Sequence, residues 1–501
     1  MGLCQLKKQG SFSLRFILIQ SMLFFSLLCS AQKKPNIIFI LGDDMGYQSI
    51  GAFGQKIIKT PNLDQLAEGG MILTNFYTNH ICSPSRGSLL TGMHTGNGII
   101  RGNYELGGYT EETERGQMPL PFNIKTLGSE LKKEGYVTAV MGKWGVGGPQ
   151  SSGIPGLHGI DLFYGYLDQK LAHNYYPGYL WRNNEKEYLP NPVFFPHQLL
   201  PENKNPHDPD SYLAYTGKVY SGDTINQEAI KFIKQNKHQP FFLELAYTLP
   251  HMALQVPEKA LKQYKGKFDD KPYDGSNGYL PNQYPRATYA AMISLLDEYV
   301  GSIVQTLKEN GLLENTLIIF TADNGAARVG GCDPDYFKSS GDLRGRKNSL
   351  YEGGIKVPFI AYWPGVIKPN SSSDHLCAIW DIFPTFLDVA AGKHLNGIDG
   401  ISFLNTLKSN PQHQKQHEYL YWERHWRNDT HQQAVRFGDW KVIKHIGTDK
   451  IELYDLKNDP NETNDIAGKN PDIIEKAQLY FSRRKLAPLA EWNFEKPVEL
   501  K

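Results

Sequence analysis

The chain is written in two hydrophobic patterns. Residues 35–42 (PNIIFILG), 136–141 (YVTAVM), 240–246 (PFFLELA), 316–321 (TLIIFT) and 357–362 (VPFIAY) are short apolar runs, the signature of strands buried on both faces. Between them, residues 63–68, 124–134, 226–235 and 288–310 repeat apolar positions three and four apart, as a helix resting one face on a core requires. Strand and helix alternate, so the pattern predicts a large α/β domain with a mostly parallel sheet. Beyond residue 405 the pattern changes. Residues 418–422, 433–437, 440–444 and 451–455 are short strand-like pieces set off by turn residues, and 471–485 reads as a helix. A main domain over 32–405 and a smaller antiparallel α+β subdomain over 406–501 are therefore expected.

Residues 1–31 follow neither pattern. Lys7, Lys8 and Arg15 lead into a mainly apolar run at 16–28 (FILIQSMLFFSLL), and Cys29, Ser30 and Ala31 put small residues before Gln32. That order marks an export signal cleaved after Ala31, with a periplasmic or secreted mature chain. The run is short for a bilayer, so no stable membrane span is expected after cleavage. Lipid anchoring at Cys29 is the alternative, opposed by the bulky Leu28 before it.

Charge and cysteine content narrow the chemistry. Fifty-three Lys and Arg against 52 Asp and Glu leave a net charge of +1, which supplies no basic field for nucleic acid. An anionic substrate must then be met by a local cluster. Cys4, Cys29, Cys82, Cys332 and Cys377 include no CxxC pair, so neither a disulfide framework nor a zinc ribbon is indicated.

Polar residues stand where the buried strands stop, the place where open α/β sheets bind ligands. Asp43 and Asp44 follow the first run, Lys143 the second, His251 the third, and Asp323 with Asn324 the fourth. Carboxylates and an amide crowded together are hard donors suited to Ca²⁺ or Mg²⁺, although each pair alone is also ordinary turn chemistry. Residues 82–92 (CSPSRGSLLTG) predict a helix capped by Cys82 or Ser83, with Pro84 early and Gly92 as its stop. Its N-terminus would favour an anion or a deprotonated nucleophile at residue 82, with Arg86 one turn on to grip oxyanion oxygens. A lone cysteine is otherwise a small buried hydrophobe.

CSPSRGSLLTG resembles the maturation motif of the formylglycine-dependent sulfatases of the alkaline phosphatase superfamily, in which the cysteine of Cys-x-Pro-x-Arg is oxidised to an aldehyde. NIIFILGDDMGY, GYVTAVMGKW, PHMALQVP, FTADNG and LRGRKNSLYEGGIKVP resemble that family's other motifs and occur in its order. The resemblance implies an alkaline-phosphatase-like large mixed sheet flanked by helices, with an antiparallel sheet in the C-terminal subdomain, and hydrolysis of a sulfate ester. It implies Ca²⁺ held by Asp43, Asp44, Asp323, Asn324 and the converted Cys82. Arg86 would orient residue 82, Lys143 and Lys347 would bind sulfate, and His251 would protonate the leaving alcohol with help from Lys347. One hydroxyl of the hydrated aldehyde would attack sulfur and the second would expel sulfate. A formylglycine-generating or anaerobic sulfatase-maturating enzyme is the implied partner.

Two departures stand out. The family's second signature usually reads Gly-Lys-Trp-His, and here Gly145 follows Trp144, which leaves the group that aids sulfate elimination unassigned. His80 also stands where small residues are usual.

Substrate signals are compositional. Residues 163–184 and 421–427 are dense in aromatic and hydrogen-bonding side chains, a mixture suited to sugars. His173, Asn174, Tyr176, His425 and Arg427 are expected to line a sugar subsite, the alternative being that these residues pack an interface. A sulfated glycan, such as a glycosaminoglycan or algal polysaccharide with 6-sulfated galactose or N-acetylgalactosamine, is the expected substrate. A phosphate or phosphonate ester hydrolase and an inactive sugar-binding relative are the competing readings.

Overall fold

All five apolar runs enter one ten-stranded sheet in the computed structural model, which describes residues 34–393, 395–425 and 431–494. The expected export signal and Arg427 lie outside the described residues. Thr316–Ala322, Asn36–Gly42, Phe241–Ala246, Val137–Lys143 and Leu162–Tyr166 lie side by side in that order, all parallel. Every residue of Asn36–Gly42, Phe241–Ala246 and Thr316–Ala322 is buried, as unbroken apolar runs require of strands covered on both faces.

The flanks make the sheet mixed. Ile360–Tyr362 runs antiparallel to Thr316–Ala322, and Met71–Leu73 and Ser371–Ser373 continue beyond it. Tyr179–Arg182 and Glu185–Tyr188 extend the other edge as a hairpin. The run predicted at 357–362 therefore yields only a three-residue strand, because Pro358 has no N–H to give to a ladder. Helices Pro61–Glu68, Ser221–Gln235 and Pro285–Glu309 pack together, as do Cys82–Thr91, Leu127–Lys133 and Ile382–Ala391. Among the described residues, no helix is long and apolar enough to cross a membrane. Cys82, Cys332 and Cys377 are all buried and free.

The C-terminal strands form the expected antiparallel sheet, in the order Leu420–Arg424, Gln432–Phe437, Trp440–His445 and Ile451–Asp455. Helix Pro471–Ser482 covers it through Tyr480 and Phe481 against Val435 and Phe437. This sheet is fastened to the rest of the compact unit that runs from Pro35 onward. Trp422 donates its indole N–H to the Thr78 carbonyl at 2.8 Å. The fully buried Lys441 ammonium lies 2.9 Å from both Glu352 and Glu462, and the Glu352 N–H donates to the Glu462 carboxylate at 2.7 Å. Burial opposes ionisation of Glu352, but Lys441, Lys356 and Arg436 outweigh it and keep this carboxyl charged. Glu352 opens the turn of helix that follows the Lys347 loop, so the clasp ties that loop to the C-terminal sheet.

Removing one partner of a buried ion cluster strands the others. Lys441→Met should lower the unfolding free energy by about 3–5 kcal/mol, read from urea denaturation. A loss well under about 1 kcal/mol, the size of a surface pair, would show that the clasp does not hold the two sheets together.

Candidate active site

The strand ends bring their polar residues together. Asp43 and Asp44 leave Asn36–Gly42, Asp323 and Asn324 leave the adjacent Thr316–Ala322, Lys143 closes Val137–Lys143, and His251 lies beyond Phe241–Ala246. All six are buried. Asp44 is held at φ 66°, an uncommon conformation for a residue with a side chain, and its N–H donates to Asp323 Oδ1 at 3.1 Å.

Asp43 is the hub. Its Oδ2 accepts from Lys143 Nζ at 2.6 Å and from Arg86 Nη2 at 3.2 Å, and its Oδ1 faces the Cys82 thiol at 3.5 Å. Arg86 Nη2 also reaches Asp323 Oδ2 at 2.8 Å, while Nη1 donates to the Lys143 carbonyl at 2.6 Å. Asp44 Oδ1 accepts from Asn324 Nδ2 at 2.7 Å, and Lys347 Nζ donates to Asp44 Oδ2 at 2.8 Å. Three buried carboxylates thus face three cationic side chains.

The helix Cys82–Thr91 starts one residue earlier than a Cys82 cap and two earlier than a Ser83 cap would require. Ile81 occupies the cap and contributes no side-chain hydrogen bond, whereas Gly92, at φ 70°, ends the helix as expected. The Ser83 N–H is satisfied instead by Asn103 Oδ1 at 2.9 Å. Burial, then the charges of Asp323 and Asp43, push the Cys82 thiol well above the ordinary cysteine range. The helix N-terminus does not win here: residue 82 as cysteine is a neutral thiol.

Charge compensation fixes the other protonation states. Burial opposes ionisation of Asp43, but Lys143, His251 and Arg86 hold its carboxyl well below the usual range. Burial, with Asp43 beside it, raises Asp323. Burial and then Lys347 lower His251 to about 4, so the ring is neutral near pH 7. His251 Nδ1 lies 2.5 Å from the Met252 carbonyl. A carbonyl only accepts, so Nδ1 carries the proton. The Nε2 lone pair then faces the cluster, 3.6 Å from Asp44 Oδ2.

A divalent cation fits these donors. Asp43, Asp44, Cys82 and His251 each offer a ligand atom within 4.8 Å of the others, and the buried Asn324 Oδ1 has no hydrogen-bond partner. An orphaned carbonyl oxygen beside two carboxylates is what a hard cation would satisfy. Asp323, expected among the ligands, accepts from Arg86 and from the Asp44 N–H, and each of its oxygens keeps a second lone pair for a cation. His251, expected in the site as a proton donor, also offers a ligand atom to the cluster.

Gly145 has a steric reason to lack a side chain. Its φ is 77°, and a Cβ there would lie 3.1 Å from Arg86 Cδ and 3.5 Å from Gln169 Oε1. Ser83 Oγ donates to the Gly145 carbonyl at 2.8 Å and accepts from Gln169 Nε2 at 3.0 Å.

The residues expected to bind sugar separate into distinct places. His173 stacks on His251, ring centres 5.0 Å apart at 22°. Asn174 closes its amide on the backbone of Tyr176, and Tyr176 is buried with its ring edge-on to Tyr220. His425 is half-buried, with Nε2 2.8 Å from Glu423 and its ring stacked on Phe494. Only His173, of the four described, thus stands beside the catalytic cluster. Tyr109, His197 and Tyr279 surround it instead. They come from irregular segments without periodicity, and no sequence signal marked them.

A large mixed sheet with carboxylates and compensating cations gathered at its strand ends is the arrangement of the alkaline phosphatase-like superfamily. The chain belongs to the sulfatase family, whose model matches residues 35–393; the model for the C-terminal part of N-sulphoglucosamine sulphohydrolase matches 346–482. Human N-acetylgalactosamine-6-sulfatase is 31% identical over 75% of this chain and 66% of its own length, so the match leaves about a third of that relative uncovered. An uncharacterised sulfatase of Schizosaccharomyces pombe is 29% identical over 90% of this chain and 93% of its own. Among solved structures, Ps i-CgsB in complex with k-i-k-neocarrahexaose superposes with a TM-score of 0.72 at 26% identity, covering 93% of this chain and 94% of that one. A 6S-sulfatase structure from work on glycosaminoglycan metabolism by Bacteroides thetaiotaomicron gives 0.68 at 26% identity, covering 90% and 99%.

Restoring the family's usual histidine at position 145 should not improve this enzyme. Gly145→His must adopt a left-handed backbone and displace Arg86, at a cost of about 1–3 kcal/mol. Thermal unfolding should show that loss and turnover should not rise. A variant both as stable and more active would contradict the steric reading.

Proposed function

We propose that this protein hydrolyses an O-sulfate ester of a glycan, with residue 82 as formylglycine and Ca²⁺ in the Asp43, Asp44, Asp323, Asn324 cluster. The carrying observation is Cys82 itself. It is a buried neutral thiol, unfit as a thiolate nucleophile, yet it sits against Asp43 at the focus of Arg86, Lys143 and Lys347. Conversion would supply a hydrated aldehyde whose oxygen attacks sulfur, and Ca²⁺ would supply a Lewis acid to polarise sulfate oxygens. Asp43, Asp44, Asp323, Asn324 and residue 82 would hold that ion, with Asp323 also bracing Arg86.

The protein's own groups perform the remaining work. Lys143 and Lys347, whose ammonium groups already lie in the cluster against Asp43 and Asp44, would bind sulfate oxygens and stabilise the charge that develops there. Arg86 keeps residue 82 in register with both strands. The neutral His251 would accept at Nε2 the proton released by the attacking hydroxyl of residue 82 and deliver it to the leaving alcohol oxygen with help from Lys347, while its Nδ1–H stays on the Met252 carbonyl.

A galacto-configured 6-sulfate is the favoured substrate. The named substrate of the human relative and the glycan-bound structural neighbour both support a sulfated saccharide. Maturation by a formylglycine-generating or anaerobic sulfatase-maturating enzyme, and a periplasmic or secreted location, complete the proposal.

The test is turnover by matured protein of 4-nitrophenyl sulfate, 4-nitrophenyl phosphate and a panel of sulfated saccharides that includes 6-sulfated galactose and N-acetylgalactosamine, with Ca²⁺ or Zn²⁺. Sulfate should be preferred, and chelation should remove activity that Ca²⁺ restores. Cys82→Ala should cut kcat by about 10³-fold or more with little change in melting temperature. Preference for phosphate with Zn²⁺, or wild-type turnover by Cys82→Ala, would overturn the proposal.

A further inference from the structure

Three histidines approach the leaving-group side of the site, and their hydrogen bonds determine where each proton sits. The Tyr279 N–H donates to His197 Nδ1 at 3.1 Å. His197 Nδ1 is therefore an acceptor, and on a neutral ring the proton is on Nε2. That nitrogen lies 2.9 Å from His173 Nδ1. His197 Nε2–H must donate to it, and the proton of His173 is thereby forced onto Nε2. Both rings are neutral in this arrangement, because each accepts a hydrogen bond at Nδ1 and so carries a single proton.

The outcome is a donor with nothing to donate to. His173 Nε2 has no hydrogen-bond partner among the described residues, and it is not sealed inside the protein. The ring stacks on His251, so this N–H is carried beside the group that handles the leaving oxygen. Tyr279 pays a conformational cost for its part, since it is a bulky residue at φ 65°. Its ring packs on both His197 and His173, at 4.5 and 4.9 Å between centres, and Tyr109 closes on His197 from another side at 4.4 Å.

We propose that Tyr279, His197 and His173 form a tautomer-fixing chain that presents His173 Nε2–H as a hydrogen-bond donor to an acceptor oxygen, hydroxyl or ring, of the sugar next to the scissile sulfate. His173 touches the substrate, and His197 is the positioning residue that acts through it. This rests on the glycan-sulfatase reading for the identity of the acceptor, while the tautomers follow from the free protein alone. The specificity is chemical: a leaving group without an acceptor at that place loses one hydrogen bond, and one with a cation there is excluded.

Two measurements decide it. Long-range ¹⁵N–¹H correlation spectra of histidine-labelled wild-type protein should show His197 and His173 as Nε2–H tautomers and His251 as the Nδ1–H tautomer. His173 found as Nδ1–H overturns the chain, whether or not any substrate is known. On the sulfated saccharide that wild type turns over best, His197→Phe keeps an aromatic ring but loses both hydrogen bonds. KM should rise about tenfold with kcat changed less. His197→Gln can still accept from the Tyr279 N–H and donate to His173 Nδ1, so its KM should stay within about threefold of wild type. Equal KM values for the two variants, or a loss confined to kcat, would overturn the positioning role. A wild-type protein inactive on every sulfate ester would overturn the functional reading instead, leaving the spectra to judge the chain.

Discussion

Asp43 Oδ2 takes hydrogen bonds from Lys143 and Arg86 together, and the rest of the site is placed by that shared oxygen. Arg86 carries the constraint outward. One guanidinium joins the start of helix Cys82–Thr91 to the carboxylates at two strand ends and to the carbonyl at a third. Charges taken out of water cost several kcal/mol each unless they are paired. Here each pairs with a group that the chemistry also needs, so stability and catalysis draw on the same contacts. A net charge of +1 is then no obstacle to binding an anion, because the positive field is built locally.

The constraint explains two features that look like defects. Gly145 departs from the family signature at a left-handed φ of 77°, where a Cβ would also press on Arg86 Cδ at 3.1 Å. The C-terminal sheet, remote from residue 82 in sequence, reaches the site through Lys441 and Glu352, steadying the loop from which Lys347 reaches Asp44. The protein therefore holds the two lysines of the cluster by different means: Lys143 by a central strand, Lys347 by a buried clasp between two sheets.

Much of this was legible in the chain. The central strands announce themselves because burial on both faces leaves no polar positions, and the Asp43, Asp44, Asp323 and Asn324 positions follow from where those strands end. The flanking strands were not legible. Ser371–Ser373 is three serines and Met71–Leu73 is too short for a period to show. Composition suggested sugar contacts at Asn174 and Tyr176, but an aromatic in a mixed segment reads the same whether it faces a pocket or the core. His197 and Tyr279 carry no signal because their roles depend on loops meeting in space. The pairing of Lys441 with Glu352 spans 89 residues, beyond any local pattern.

The central claim is that the residue at the focus of these charges works as an aldehyde. Mass analysis of the peptide containing residue 82, from protein co-expressed with a maturation enzyme, tests it directly. The account predicts a loss of about 18 mass units relative to cysteine, whereas the sulfenic, sulfinic and sulfonic acids are all heavier than the thiol. Unmodified cysteine at residue 82 in fully active protein would contradict it.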